Sequence, residues 1–155
     1  MSTPKVTKAY RASASTRLIN EVFSAMVRLG LGKNYRYILT VPGRNTGIPR
    51  SVPVDVMDDG SQRWLVAPYG VTNWVRNARA AGQVTLRRGG HRQTSHVIEV
   101  PAAERVPVLR QYLSEVPVTR RYFGVTAAST DQQWAAEADH HPVFRLTDAP
   151  DATRT

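Results

Sequence analysis

The chain has 155 residues, enough for one hydrophobic core and few for two, and its 41% hydrophobic and 21% charged content, with no low-complexity run, excludes a disordered or fibrous protein. With 21 Lys and Arg against 12 Asp and Glu the net charge is +9, so the surface attracts anions: nucleic acid, an anionic membrane or a polyanionic small molecule. The lack of cysteine excludes disulfides, thiol nucleophiles and thiolate metal sites, and no stretch approaches the roughly 20 apolar residues that span a bilayer.

Residues 1–15 are polar and basic without periodicity and read as a flexible arm; residues 16–148 read as a single domain. The arm lacks the apolar core of a signal peptide, which makes a cytoplasmic protein the expectation. From Thr16 the spacing predicts an amphipathic helix, with Leu18, Val22, Ala25, Met26 and Leu29 on one face and Gly30 and Gly32 at its end. Its wide apolar face suits either the body of the domain or a membrane surface.

The period then changes to two. Tyr35, Tyr37, Leu39 and Val41 alternate with Arg36, Ile38 and Thr40, and after the loop GRNTGIPR (43–50) Val52, Val54 and Val56 alternate with Ser51, Pro53 and Asp55. The DDGS turn at 58–61 leads into a third strand, Arg63 to Ala67. Thr72 or Asn73 then caps a short helix, Trp74 to Ala81, closed by Gly82. A hairpin follows, Val84 to Arg88 and Gln93 to Val100 around Gly89 and Gly90. Helical patterns at Ala103 to Leu113 and Gln132 to Ala138 precede a closing strand in HPVFRLT, 141–147. Six strands joined mostly by turns, with helices at the periphery, predict a mainly β, antiparallel, closed or partly closed barrel; a parallel Rossmann sheet would need helices between its strands, and no GxGxxG is present.

Two segments are suited to anions. In the loop, Gly43 and Gly47 let the backbone bend, Arg44 and Arg50 offer forked donors for phosphate or carboxylate, and Asn45 and Thr46 add neutral donors. A solvated hairpin loop fits the same residues. At the start of the Trp74 helix the free N–H groups and the positive dipole end favour an anion, although Trp74 would serve equally as a core anchor. Metal chemistry has little support: His91 and His96 are an odd number apart on one strand and face opposite ways, and His140 and His141 are adjacent. No nucleophile elbow is present, so chemistry in this chain points to a bound cofactor.

The stretches YILTVPGRNTGIPRSVPV and WLVAPYGVTNWVRNARAAG, with the order of elements around them, resemble the nitroreductase-type, deazaflavin-dependent oxidoreductases of actinobacteria. That resemblance implies a split β-barrel related to the flavin-binding split barrels. It implies binding of coenzyme F420 and hydride transfer from its reduced form to a small electron-poor acceptor: a quinone, an activated enone such as a coumarin-type lactone, or a nitroaromatic. The coenzyme ends in a phosphodiester and a glutamate tail, which matches the basic balance. By resemblance Gly43, Arg44, Asn45, Thr46, Gly47, Pro49 and Arg50 cradle the phosphate and tail, and Ala67, Pro68, Tyr69, Trp74 and Asn77 complete the coenzyme site. Many relatives carry Lys at the place of Asn45, and the nitroimidazole-reducing branch carries Ser and Lys at the places of Pro68 and Tyr69. Tyr69, Tyr112 and Tyr122 are the candidate proton donors or pocket residues. The rival expectations are a flavin mononucleotide-binding split barrel and a non-catalytic module for nucleic acid or anionic lipid; peripheral association with the inner membrane surface is a minor one. Interleaving argues against nucleic acid, since Arg36 points away from Tyr35 and Tyr37.

Overall fold

The computed structural model describes residues 35–148, so the basic arm and the amphipathic helix from Thr16 lie outside the described residues. Six strands form one closed antiparallel barrel: β1 (Arg36–Pro42), β2 (Pro49–Asp58), β3 (Arg63–Val66), β4 (Gln83–Arg88), β5 (His91–Glu99) and β6 (Val143–Asp148), in the order β1-β2-β3-β6-β5-β4. Between them lie α1 (Asn73–Ala81), α2 (Ala102–Glu115), a 3₁₀ turn (Pro117–Tyr122) and α3 (Asp131–Ala138). No described helix is long and apolar enough to cross a membrane.

The alternation read from the sequence is the division between two cores. Residues of one parity, Leu39 and Val41, Val54 and Val56, Leu65, Val84 and Leu86, Phe144 and Leu146, fill the barrel, and Val75 and Ala78 of α1 plug it. Residues of the other parity, Met57, Val66 and Val143, lie on the outer wall beneath Val108, Leu109, Tyr112 and Leu113 of α2 and Trp134 of α3. Burying each large apolar side chain contributes on the order of 1.5–3 kcal/mol, so both the filling of the barrel and the helical layer on its wall stabilise the fold.

The departures from the predicted boundaries have local causes. β2 begins at Pro49 because the legs of the 43–50 loop continue the β1 ladder, with Pro42 opposite Pro49 and Val41 opposite Arg50. β6 starts at Val143 rather than at His141, whose N–H turns back to Ala138 O at the end of α3 and whose ring pairs with Glu137. The 3₁₀ turn was not legible as an element; Pro117 at its first position presets φ while its missing N–H costs nothing. Gly82 closes α1 at φ 72°, donating to Ala78 O, a left-handed position that a side chain would strain.

Candidate functional site

The groove is built by a loop that organises itself. Gly43 N donates to Ile48 O at 2.9 Å, Gly47 N to Gly43 O at 2.8 Å, and Ile48 N to Thr46 Oγ1 at 3.2 Å. Two glycines are required here: a Cβ on Gly43 would lie 2.9 Å from Thr46 Oγ1 and 3.3 Å from Ile48 O, and Gly47 has φ +71°. Thr46 therefore braces the turn from inside. Pro49 and Gly47 shape the loop without lining the groove.

One bond pair fixes the loop to α1. The Arg44 backbone N–H and its Nη1 both donate to Asn77 Oδ1, at 3.1 and 2.9 Å, and Asn77 is only 5% exposed. Asn77 can receive them because α1 is itself pinned at its other end, where Arg79 Nε and Nη2 meet the two Glu99 oxygens at 2.7 and 2.8 Å. The fork of hydrogen bonds holds the Glu99 carboxyl below its ordinary range.

Loop and helix together enclose a groove of about 550 Å³ lined by Gly43, Arg44, Asn45, Thr46, Arg50, Ser51, Val52, Thr72, Asn73, Trp74 and Asn77. That volume is in the range of small-molecule sites. Two guanidinium groups and no carboxylate line it, and the first turn of α1 opens into it with N–H groups that have no partner within the helix. Thr72 caps α1 with extended backbone but no side-chain cap bond, and its hydroxyl is buried without a partner. An anionic ligand with polar edges meets all three demands.

A second, smaller cavity of about 140 Å³ adjoins the groove, sharing Val52, Thr72 and Trp74 with it. Its walls are mostly apolar, from Pro53, Val54, Val66 and Pro68, with Tyr69 at the rim and Arg36 and Asp55 as charged members. Trp74 stands between the two spaces, its ring centroid 6.0 Å from that of Phe144 in the barrel, so it is both an anchor and a wall.

The expected site residues separate accordingly. Gly43, Arg44, Asn45, Thr46, Arg50, Trp74 and Asn77 meet around the groove, and Pro68 and Tyr69 belong to the second cavity. Ala67 is buried in the barrel core and lines neither. Tyr69 is 41% exposed and meets Tyr122 edge to face, centroids 4.7 Å apart, so Tyr122 supports it from behind. Tyr112 is a correction: it lies on α2, fully buried against the outer wall of the barrel, its hydroxyl donates to Asp55 Oδ2 at 2.7 Å, and burial followed by the nearby Asp55 charge raises its pKa far above the ordinary tyrosine value. It faces a carboxylate and is not a donor presented to a ligand. Sequence reasoning missed Ser51 and Arg36; Thr72 and Asn73 were visible only as alternative caps, and Asp55 only as an acid in an alternating strand. His91 and His96 do face opposite ways on β5, and among the described residues no group of three or more His, Asp or Glu is placed to hold a metal ion.

A family model described as F420H(2)-dependent quinone reductase matches residues 15–136. Among solved structures, an F420-H2 dependent reductase (FDR-A) is 19% identical with a TM-score of 0.54, over 74% of this chain and 95% of that one. A second, described as a domain-swapped dimer, is 17% identical with a TM-score of 0.55, over 86% and 100%. A protein of unknown function from Agrobacterium tumefaciens is 12% identical with a TM-score of 0.56, over 95% of this chain and 59% of that one. At these identities the structural likenesses establish the barrel fold. No curated protein matches.

Proposed function

Since the chain belongs to the F420H(2)-dependent quinone reductase family, and is thus an F420-dependent oxidoreductase acting on a small-molecule acceptor, we propose that the 43–50 loop and the start of α1 hold the coenzyme and that the adjoining cavity receives the acceptor. The observation that carries this reading is the juxtaposition itself: a groove with two guanidinium groups and no carboxylate opens onto an apolar cavity across Trp74.

The residues fit the coenzyme. Arg44 and Arg50 offer forked donors to its phosphodiester and glutamate tail, and the N–H groups of the first turn of α1 add a positive dipole end. The Thr72 hydroxyl, buried and without a protein partner, is satisfied by a polar edge of the bound group. When bound in reduced form, the deazaflavin supplies a hydride. The work of the chain is to bind, orient and exclude water: Asn77 sets the position of Arg44, Trp74 walls the coenzyme from the barrel, and Val52, Pro53 and Pro68 keep the acceptor side apolar. In this reading Tyr69 delivers a proton from its hydroxyl, which its position on the cavity lining and the Tyr122 ring against its own support. The acceptors in keeping with an apolar cavity are electron-poor planar molecules: quinones, activated enones and nitroaromatics.

Titrating the purified protein with the oxidised coenzyme and following its fluorescence tests the reading. Saturable binding is expected, and the double substitution Arg44→Ala, Arg50→Ala should weaken it by about a hundredfold or more, since each charge-assisted contact contributes about 1.5–3 kcal/mol. Unchanged affinity in an intact fold would remove the loop from the coenzyme site, and tight binding of flavin mononucleotide without binding of the deazaflavin would overturn the cofactor assignment.

A further inference from the structure

The apolar cavity beside the groove has a polar corner that the coenzyme reading does not use. Arg36 on β1 and Asp55 on β2 stand opposite each other in the ladder, and Arg36 Nε donates to Asp55 Oδ1 at 3.0 Å. The other carboxylate oxygen takes the Tyr112 hydroxyl at 2.7 Å, from a ring that is fully buried. The Arg36 carbonyl is held in turn by Arg88 Nη1 at 2.9 Å. Asp55 is 6% exposed and both charged groups line the cavity, where Arg36 is the single cation among the described lining residues.

A charged pair at an apolar wall costs desolvation, and well-packed apolar side chains of similar volume would often be as stable. What the pair adds is a guanidinium whose direction is set by a carboxylate, itself fixed by a tyrosine. The volume gives the scale of the occupant: an apolar cavity of about 150 Å³ holds a molecule the size of benzene, so a site of about 140 Å³ has room for one six-membered ring.

We propose that Arg36 is the group that receives the oxygen of the acceptor, stabilising the negative charge that reduction places there, and that Asp55 and Tyr112 are the positioning residues that aim it. The inference rests on the reading of the cavity as the acceptor site. Reduction forms a bond from the transferred hydrogen to an electron-poor centre of the acceptor and oxidises the reduced coenzyme by two electrons. The displaced π pair moves onto the acceptor's carbonyl or nitro oxygen, which then takes a proton delivered separately. A preorganised cation beside that oxygen acts on the charge as it develops, between mostly apolar walls. The preferred acceptor then presents a single electron-poor ring with a conjugated oxygen, with any larger part of the molecule outside the cavity.

The test uses the coenzyme-free protein and 4-nitrophenol, a one-ring mimic of the reduced oxyanion whose phenolate absorbs in the visible. Wild-type protein is expected to favour the bound phenolate over the phenol by about tenfold, and Arg36→Gln to abolish that preference, as suits one hydrogen bond to a charged group. Because Arg36→Gln leaves a buried carboxylate without its cation, the double variant R36Q/D55N, in which both groups are neutral, is measured alongside. With a quinone acceptor the same variants should lower kcat by about ten- to a hundredfold while coenzyme affinity stays at the wild-type value. Equal phenolate preference in wild type and the double variant, or no phenolate preference in wild type, overturns the assignment to Arg36. Loss of coenzyme binding in the wild-type protein would instead refute the proposed function, so the two failures are distinct.

Discussion

Asn77 carries the most direct consequence of the site geometry, because one side-chain oxygen 33 residues away holds both the backbone and the guanidinium of Arg44. Asn77→Ala removes both bonds. A neutral hydrogen bond contributes about 0.5–1.5 kcal/mol and one to a charged group about 1.5–3 kcal/mol; Arg44 is exposed, so the low end applies and the loss is about 2 kcal/mol. If that anchoring is what presents the loop to the coenzyme, affinity should fall by about 30-fold. Fluorescence titration with the deazaflavin measures the change, and thermal unfolding of the same sample separates loop release from loss of fold. Asn77→Asp distinguishes geometry from charge: the carboxylate pairs with Arg44 at least as strongly, so the loop stays anchored, but the added negative charge opposes the phosphate and affinity should still drop. Coenzyme binding by Asn77→Ala that equals or exceeds that of the wild type, in a folded protein, would refute the view that the bond to α1 sets the loop for binding.

Gly43→Ala should act on the same loop by sterics, since its Cβ would fall 2.9 Å from Thr46 Oγ1; weaker coenzyme binding with little change in melting temperature is the expected pattern. Tyr69→Phe should lower acceptor reduction by about a hundredfold with coenzyme affinity unchanged if its hydroxyl delivers the proton, whereas Tyr122→Phe keeps the ring contact and should cost less. His141 is buried against Phe123, centroids 3.9 Å apart, and burial lowers its pKa below the ordinary 6.5 despite the opposing hydrogen bond to Glu137. The unfolded chain therefore takes up more protons near and below that value, so this stability is complete above it and is lost as the pH falls; melting temperature should drop on acidification, and less steeply in His141→Gln. Thr130→Ala removes the capping box with Gln133 at the start of α3 and should cost about 1 kcal/mol by denaturant titration, without altering coenzyme affinity.

Much of the fold is written locally. Alternation in Tyr37–Val41 and Val52–Val56 states which residues share the face that fills the barrel, because the period of a strand is two whatever it pairs with; Tyr35, just before β1, packs on the outer cluster instead. The DDGS and Gly89–Gly90 turns state which strands are neighbours, and Gly82 states where α1 ends. The loop at 43–50 and the Trp74 helix were legible for the same reason: glycines, arginines and a cap announce a bend, a charge and a free helix end within a few residues. The basic balance and the motif spacing then point to an anionic coenzyme, and the family match agrees.

Tertiary structure decided the rest, wherever the partners are distant in the chain. Nothing local says that β6 enters between β3 and β5 to close the barrel, since three helical segments separate it from β5, and a further helix and the β4–β5 hairpin separate it from β3. From the sequence Tyr112 is a candidate donor or pocket residue; α2, settled on the outer wall, turns it instead onto Asp55, 57 residues away. In the alternating pattern Arg36 and Asp55 share only a parity, and they form a paired wall of a cavity because the helical layer and the Pro68–Tyr69 turn cover that face. A strand's period determines which side a residue points to, but whether that side meets water or protein depends on what packs there, and that is settled by the whole chain.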